Sequence, residues 1–256
     1  MLLVIDVGNT NTVLGIFSGD TLLSHWRLST IKERTIDEYG ILARNLLSLS
    51  GIDSAKVEFI VISSVVPTLD SILEEMSKSY FNLEPLFVEP GVKTGIAILY
   101  ENPHEVGADR ITNSLAAFTL YGGPAIVIDF GTATTFDVIT EKGEYLGGVI
   151  APGPGISAEA LFERTAMLPR TGIRKPPKVI GKNTVNSIQS GLYHGYIALI
   201  EGVVEKIKGE LGTPAKVIAT GGLSAPFCRD IRCIDEFNPN LTLYGLKIIY
   251  EKNRKQ

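Results

Sequence analysis

Several kinds of chemistry are excluded by what this chain lacks. In 256 residues there are two cysteines, three histidines and one tryptophan. Cys228 and Cys233 are separated by four residues, which allows a disulfide, half of a metal site or two unrelated thiols. No second cysteine pair exists and His25, His104 and His194 are scattered, so a complete zinc site is not expected. Positive charge is also scarce. The net charge is −4, and only the last residues, "EKNRKQ", are locally basic. Nucleic acid, which needs a basic footprint, is therefore not an expected partner. No apolar run approaches the length of a membrane span, so no membrane association is expected. "MLLVID" has no basic start and soon meets an acid, so a secretory signal is not expected and a reducing cytoplasm is. Nothing reads as G-x-x-x-x-G-K-[ST], so a P-loop is absent.

The remaining composition is that of a globular enzyme-sized chain. Apolar residues make up 45% and charged residues 20%. A chain of this length buries roughly 70–75% of its unfolded surface, enough for one large domain or two smaller ones. Stretches rich in Val and Ile alternate with helical patterns. "LLVID" and "TVLGIFSGDTLLSHWRLS" read as strands with a hairpin at "SGD". "TIDEYGILARNLLSLSG" reads as a helix ending at Gly51, and "TLDSILEEMSKSYF" as one capped by Thr68. "VEFIVISSVVP" and "PLFVEPG" read as strands, and "GADRITNSLAAFTLYGG" as a helix. A second series follows: strands, a helix over "GISAEALFERTAML", a Pro- and Lys-rich loop, a long helix from "NTVNSIQ" to "KGELG", the strand "AKVIATGG" and a closing helix, "NLTLYGLKIIYEKN". This alternation indicates an α/β protein.

The second series repeats the first. "DVGNTNTVLGIFSGDTLL" aligns without a gap on "DFGTATTFDVITEKGEYL", sharing the acid, the glycine two places on, the threonine six places on and the closing leucine. The chain thus reads as two related halves, residues 1–118 and 119–256. An acid-Gly turn after a strand suits a phosphate, because successive N–H groups face the anion and glycine permits close approach. A carboxylate there would repel phosphate, so its useful role is to hold a cation. Asp6 suits Mg2+, which prefers oxygen ligands and keeps much of its water. Alternatively both turns are β-turns with acids in ordinary positions. A third turn, "ATGG" at 219–222, either lets a flat base lie on the backbone or simply connects strand to helix. At "GADR", Gly107 to Arg110 opens a helix whose free N–H groups favour an anion, and Arg110 adds paired donors for a carboxylate. The adjacent Asp109 and Arg110 also fit a plain ion pair.

Two acid-Gly-Thr hairpins and a late Gly-Gly turn resemble the actin, Hsp70 and sugar-kinase superfamily. Within it, "DVGNTNT", "GADR", "DFGTATTFD" and "PGPGIS" resemble type III pantothenate kinase over essentially the whole chain. The resemblance implies two ribonuclease-H-like (actin-like ATPase) halves, with mixed sheets flanked by helices and an ATP cleft between them. It implies ATP-dependent phosphorylation of pantothenate to 4'-phosphopantothenate, the first step of coenzyme A synthesis. ATP would be bound by Asp6, Val7, Gly8, Asn9, Thr10, Asn11, Thr12 and Val13, by Thr132, and by Gly221 and Gly222. Pantothenate would be bound by Tyr100, by Gly107, Ala108, Asp109 and Arg110, and by Thr184, with Asp109 as general base. Mg2+ would lie at Asp6, and potassium or ammonium at Asp129. The family also implies a homodimer, for which the apolar "GLYHGYIALIEGVV" is a candidate interface as well as a candidate core helix.

Three alternatives stand beside this reading. "GPGISA", 153–158, has the G-x-G-x-x-A shape of a dinucleotide site, without the acid about 20 residues on that such sites carry. A non-catalytic regulator of the same fold, like the Bvg accessory factor, would not need Asp6, Asp109, Arg110 and Asp129, all of which are present. A kinase of another small alcohol would retain them. Trp26 and the cysteines carry no functional signal.

Overall fold

The computed structural model describes residues 1–89, 91–222 and 229–254. In chain order the elements are β1 (Leu2–Val7), β2 (Asn11–Ser18), β3 (Thr21–Ser29), α1 (Ile36–Leu49), β4 (Phe59–Ser64), α2 (Asp70–Phe81), β5 (Leu86–Phe87) and β6 (Ala97–Ile98). Then come α3 (Ala108–Tyr121), β7 (Ala125–Phe130), β8 (Ala133–Ile139), β9 (Glu144–Pro152), α4 (Pro154–Glu163), α5 (Thr184–Leu211), β10 (Lys216–Thr220), β11 (Glu236–Phe237) and α6 (Leu241–Asn253). They form two compact units. One holds Met1–Ile96, Glu101–Ala116 and the chain from Leu241 on; the other holds Ala97–Tyr100 and Ala117–Asn240. The closing helix α6, which a division after residue 118 counts with the second half, belongs to the first unit by its contacts.

The first unit is built on a five-stranded mixed sheet in the order β3-β2-β1-β4-β5. Its central strand β1 runs antiparallel to β2 and parallel to β4. Both faces of β1 are covered. Leu3, Ile5 and Val7 pack with Ile60 and Ile62 against Tyr39, Ala43 and Leu47 of α1 and Leu73 and Met76 of α2. On the other face Leu2, Val4 and Val61 meet Leu115 of α3 and Leu243, Leu246 and Ile249 of α6. Two-sided burial explains why "LLVI" is a continuous apolar run and not an alternating one. The β2–β3 hairpin turns at Gly19, with φ of 56°.

The second unit has a six-stranded sheet in the order β11-β10-β7-β8-β9-β6. From β9 to β11 it repeats the succession from β3 to β5, with the same strand directions. One constant offset carries Leu2–Val7 onto Ala125–Phe130 and Thr21–Ser29 onto Glu144–Pro152. The repeat read from the sequence is therefore a repeat of topology. Its core joins Ile126, Ile128, Phe130, Val217 and Ala219 of the sheet to Tyr193, Tyr196, Ile200 and Val204 of α5. The apolar face of α5 thus serves as a core helix.

Helix starts follow local chemistry. Thr35 caps α1 in a reciprocal capping box with Glu38. Thr68 does not cap α2 as the sequence suggested. It lies inside a 3-10 turn, Pro67–Leu69, which runs directly into α2 and leaves Leu69 at the cap position. Helix α4 stops at Glu163, short of "RTAML". β6 and β11, two residues each, are too short to leave a pattern in the sequence. Cys233 is half-buried; Cys228 lies outside the described residues.

Candidate active site

In the first unit, β1 ends in the turn expected to take phosphate. Asp6 is its last half-buried polar residue, paired with Val13 on β2 and Ser63 on β4. The Gly8 N–H donates to the Asn11 carbonyl at 3.0 Å and closes the turn. Asn9 and Thr10 are exposed at its tip, Gly8 and Asn11 are half-buried, and Val7 and Thr12 are buried. The turn is braced from β3. Thr30 donates its hydroxyl to the Gly8 carbonyl at 2.7 Å and its N–H to the Thr10 carbonyl at 2.9 Å. The Thr12 and Thr30 hydroxyls lie 2.9 Å apart. Of the residues Asp6 to Val13, the tip residues are thus the ones best exposed to a ligand, while Val13 is half-buried beside Asp6.

The same unit holds the start of α3. Asp109 lies in its first turn and is half-buried, and its Oδ1 accepts the Arg110 N–H at 2.8 Å. Gly107 leaves room for the carboxylate in this position. A Cβ there would sit 2.5 Å from Asp109 Oδ1 and 3.7 Å from Val65 Cγ1. Desolvation pushes the Asp109 carboxyl above its ordinary value, and the Arg110 N–H and charge oppose that rise without cancelling it. Arg110 is buried, with 8% exposure. Ala108 is half-buried, and its carbonyl accepts the Thr112 hydroxyl at 2.7 Å.

The second unit brings Asp129, Thr132 and Gly221 together. Asp129 is the next-to-last residue of β7, between Thr135 on β8 and Thr220 on β10. Gly221, with φ of 94°, passes so close to the Asp129 carboxylate and the Phe130 backbone that no side chain fits. Gly222 follows and is exposed. The turn closes when the Gly131 N–H donates to the Ala133 carbonyl at 3.0 Å. Thr132 is exposed at the tip, and its carbonyl accepts the Gly153 N–H at 2.9 Å. A Cβ on Gly153 would lie 2.5 Å from the Gly131 carbonyl oxygen. This glycine therefore serves the turn and precedes α4 at the end of β9, which is antiparallel to β8. A dinucleotide fingerprint would instead join the strands of a parallel βαβ unit.

Tyr196 of α5 ties these pieces together. Its hydroxyl donates to the Pro152 carbonyl, and the Thr134 hydroxyl lies 2.9 Å away. A phenol carries one proton, so Thr134 is the donor in the second bond. The remaining two expected residues lie elsewhere in this unit. Tyr100 packs its ring 6.2 Å from that of Tyr145, whose hydroxyl donates to the buried Asp137 at 3.0 Å. Thr184 is the exposed first residue of α5, capped by Asn183. Thr30, Gly153 and Tyr196 were not singled out as braces from sequence. Thr30 and Tyr196 carry no motif signal, and Gly153 reads as part of a different motif.

The family model for type III pantothenate kinase matches residues 2–206. The chain belongs to the type III pantothenate kinase family. A type III pantothenate kinase of Koribacter versatilis (strain Ellin345) is 56% identical over 99% of this chain and 96% of its own length. Among solved structures, a Campylobacter jejuni protein described as a conserved Baf family transcriptional activator is 20% identical, covers 98% of both chains and has a TM-score of 0.63. A Sinorhizobium meliloti protein described as a 2-dehydro-3-deoxygalactonokinase is 12% identical, covers 100% of this chain and 98% of its own, and has a TM-score of 0.60. At these identities the two structures share the fold alone, that of the actin-like ATPases and sugar kinases.

The Tyr196 bonds give a direct test of how the second turn is held. Tyr196→Phe leaves the Pro152 carbonyl and the Thr134 hydroxyl without this partner in a dry setting, at an expected cost of about 1–3 kcal/mol. The urea midpoint measures it, and a loss below about 0.5 kcal/mol would mean the hydroxyl is not a brace.

Proposed function

We propose that this chain transfers the γ-phosphoryl group of ATP to the primary hydroxyl of pantothenate, giving 4'-phosphopantothenate and ADP. The observation that carries the reading is the start of α3. There an aspartate is desolvated, fixed by the next residue's N–H and followed by a buried arginine, in a chain that belongs to this family. Pantothenate offers the matching groups, an alcohol to be deprotonated and a carboxylate for Arg110. Asp109 accepts the hydroxyl proton as the phosphoryl group moves. Because the transition state is loose, its main contribution is to aim the hydroxyl and take the proton late. Gly107 leaves the space in which the carboxylate sits. Tyr100, Ala108 and Thr184 are assigned to pantothenate on the family resemblance.

Each turn is assigned to phosphate on the family resemblance. Asn9, Thr10 and Asn11 offer N–H and side-chain donors to phosphate oxygens, and Thr132 does so from the second turn. Gly221 and Gly222 are assigned to the adenosine portion. Among the described residues, no group of three or more His, Cys, Asp or Glu side chains could hold a metal. A single carboxylate, Asp6, fits a Mg2+ ion whose other ligands are phosphates and water. Held there, Mg2+ would supply charge neutralisation to the transferring group. Asp129, whose carboxylate lies against Gly221, is assigned to potassium or ammonium on the family resemblance.

Cytoplasmic location and a homodimer belong to the same proposal. No described helix is long and apolar enough to cross a membrane. Ile150, Met167, Val179 and Ile180 are exposed by 62%, 90%, 64% and 81%, and a second copy of the chain is the proposed cover. Sedimentation should give twice the monomer mass, and a monomer at micromolar concentration would remove the dimer.

The deciding experiment is ATP-dependent phosphorylation of pantothenate with Mg2+, in potassium and in sodium. Turnover in potassium and little in sodium is expected, whereas no turnover in either, with ATP still bound, would eliminate pantothenate as the substrate. Asp109→Asn should lower turnover by about 10²–10⁴-fold, the usual range for a lost general base. The same variant should fold at least as well as the wild type at pH 7. A raised pKa means that the folded chain holds the proton more tightly than the unfolded chain, so the charged form at neutral pH costs stability. For the same reason, the acid limb of kcat/KM should lie above the ordinary aspartate value of 3.8. An Asn variant with near-normal turnover would remove the general-base role.

A further inference from the structure

Among the described residues, the buried side-chain atoms with no hydrogen-bond partner are Ser63 Oγ, Asp70 Oδ1 and Ser114 Oγ. Leaving a buried hydroxyl unpaired is unfavourable by about 1–3 kcal/mol, so its position calls for a reason. The place of Ser63 supplies one. Its exposure is 0%, it lies next to the last residue of β4, and it is the register partner of Asp6 on the parallel strand β1. Register partners on adjacent strands point to the same face, about 4.8 Å apart, within reach of a bond between a hydroxyl and a carboxylate. The arrangement recurs. In the second sheet the parallel register partner of Asp129 on β10 is Thr220, another buried hydroxyl. Two acids proposed to hold cations thus each have a hydroxyl at the same register position.

Resting on the kinase reading above, we infer that Ser63 is a positioning residue for Asp6. Its hydroxyl donates to one Asp6 oxygen in the cation-loaded state and leaves the other oxygen to Mg2+ or its water. The role accounts for a buried hydroxyl that no other protein group among the described residues pairs with. In the loaded state it fixes the carboxylate that meets the cation, and a hydrogen bond to a charged group is stronger than one between neutral groups.

The test is Mn2+ affinity, measured by electron paramagnetic resonance on the full chain with a non-hydrolysable ATP analogue. Ser63→Ala should weaken Mn2+ binding in the ternary complex about ten-fold, as expected for one hydrogen bond to a charged group. Its melting temperature without ligands should equal or exceed that of the wild type, and affinity for the analogue without divalent cation should be unchanged. Ser114→Ala, which removes another buried unpaired hydroxyl, should leave Mn2+ affinity unaltered. Unchanged Mn2+ affinity in Ser63→Ala would overturn the assignment, as would an equal loss of metal-free nucleotide binding. If the wild-type chain itself binds no Mn2+–nucleotide complex, the kinase reading fails and this inference fails with it. An intact wild-type complex with an unaffected Ser63→Ala variant would remove the role of Ser63 alone.

Discussion

Everything proposed for this molecule depends on a pair of parallel strands buried on both faces, one of which carries an acid at its next-to-last residue. In the first sheet β1 and β4 form that pair, and in the second β7 and β10 do. Along β1 the residues before Asp6 are apolar and packed by helices on either side. Asp6 is the one residue of β1 that is not buried, and buried Val7 follows it. Once the acid is placed there, backbone pairing determines its neighbours. Val13 and Ser63 flank Asp6; Thr135 and Thr220 flank Asp129. The turn that follows must reverse at once into an antiparallel strand, so its N–H groups cluster beside the acid. Backbone donors and a carboxylate are therefore brought side by side by one geometric requirement, twice.

The second dependence is on space left empty. Gly107 leaves room for the Asp109 carboxylate, Gly153 for the carbonyls of the second turn, and Gly221 for the Asp129 carboxylate. In each case the missing side chain lets a polar group sit close to backbone, where its direction is fixed before any ligand arrives. Preorganisation of this kind has an energetic counterpart. Asp109 is half-buried and desolvation disfavours its charge, a stability cost that fits its proposed role as a base.

Much of this was legible in the sequence because the signals were local. The repeated acid-Gly-Thr turns, the start of α3 at "GADR" and the alternation of strands and helices all depend on residues close together in the chain. The topology bears them out, down to one constant offset between the paired strands. What was not legible is set by distance. Thr30 braces the first turn from the far end of β3, and Tyr196 reaches the second from the middle of α5. Neither lies in a motif, and a threonine or a tyrosine at such positions reads as an ordinary strand or core residue. Thr68 failed as a cap for a different reason. Pro67 at the first position of a short 3-10 turn set the entry to α2, and the cap signal was overridden by that turn. The placement of α6 with the first sheet could not be read from chain order, because its apolar stripe fits any uncovered face. Its partners, Leu2, Val4 and Val61, lie far away in sequence.

Repetition of topology did not produce repetition of detail, and the differences follow the proposed chemistry. The first turn closes from Gly8 to Asn11 and leaves two exposed residues with amide and hydroxyl side chains at its tip. The second closes from Gly131 to Ala133, a tighter loop with Thr132 at its tip. The wider turn offers more donors, as a polyphosphate with a hydrated divalent ion requires. The tighter one is pinned by a glycine N–H and by a tyrosine, and its acid is closed in by Gly221. The same strand geometry thus ends in two different turns, one wide and one tight, each beside a half-buried carboxylate.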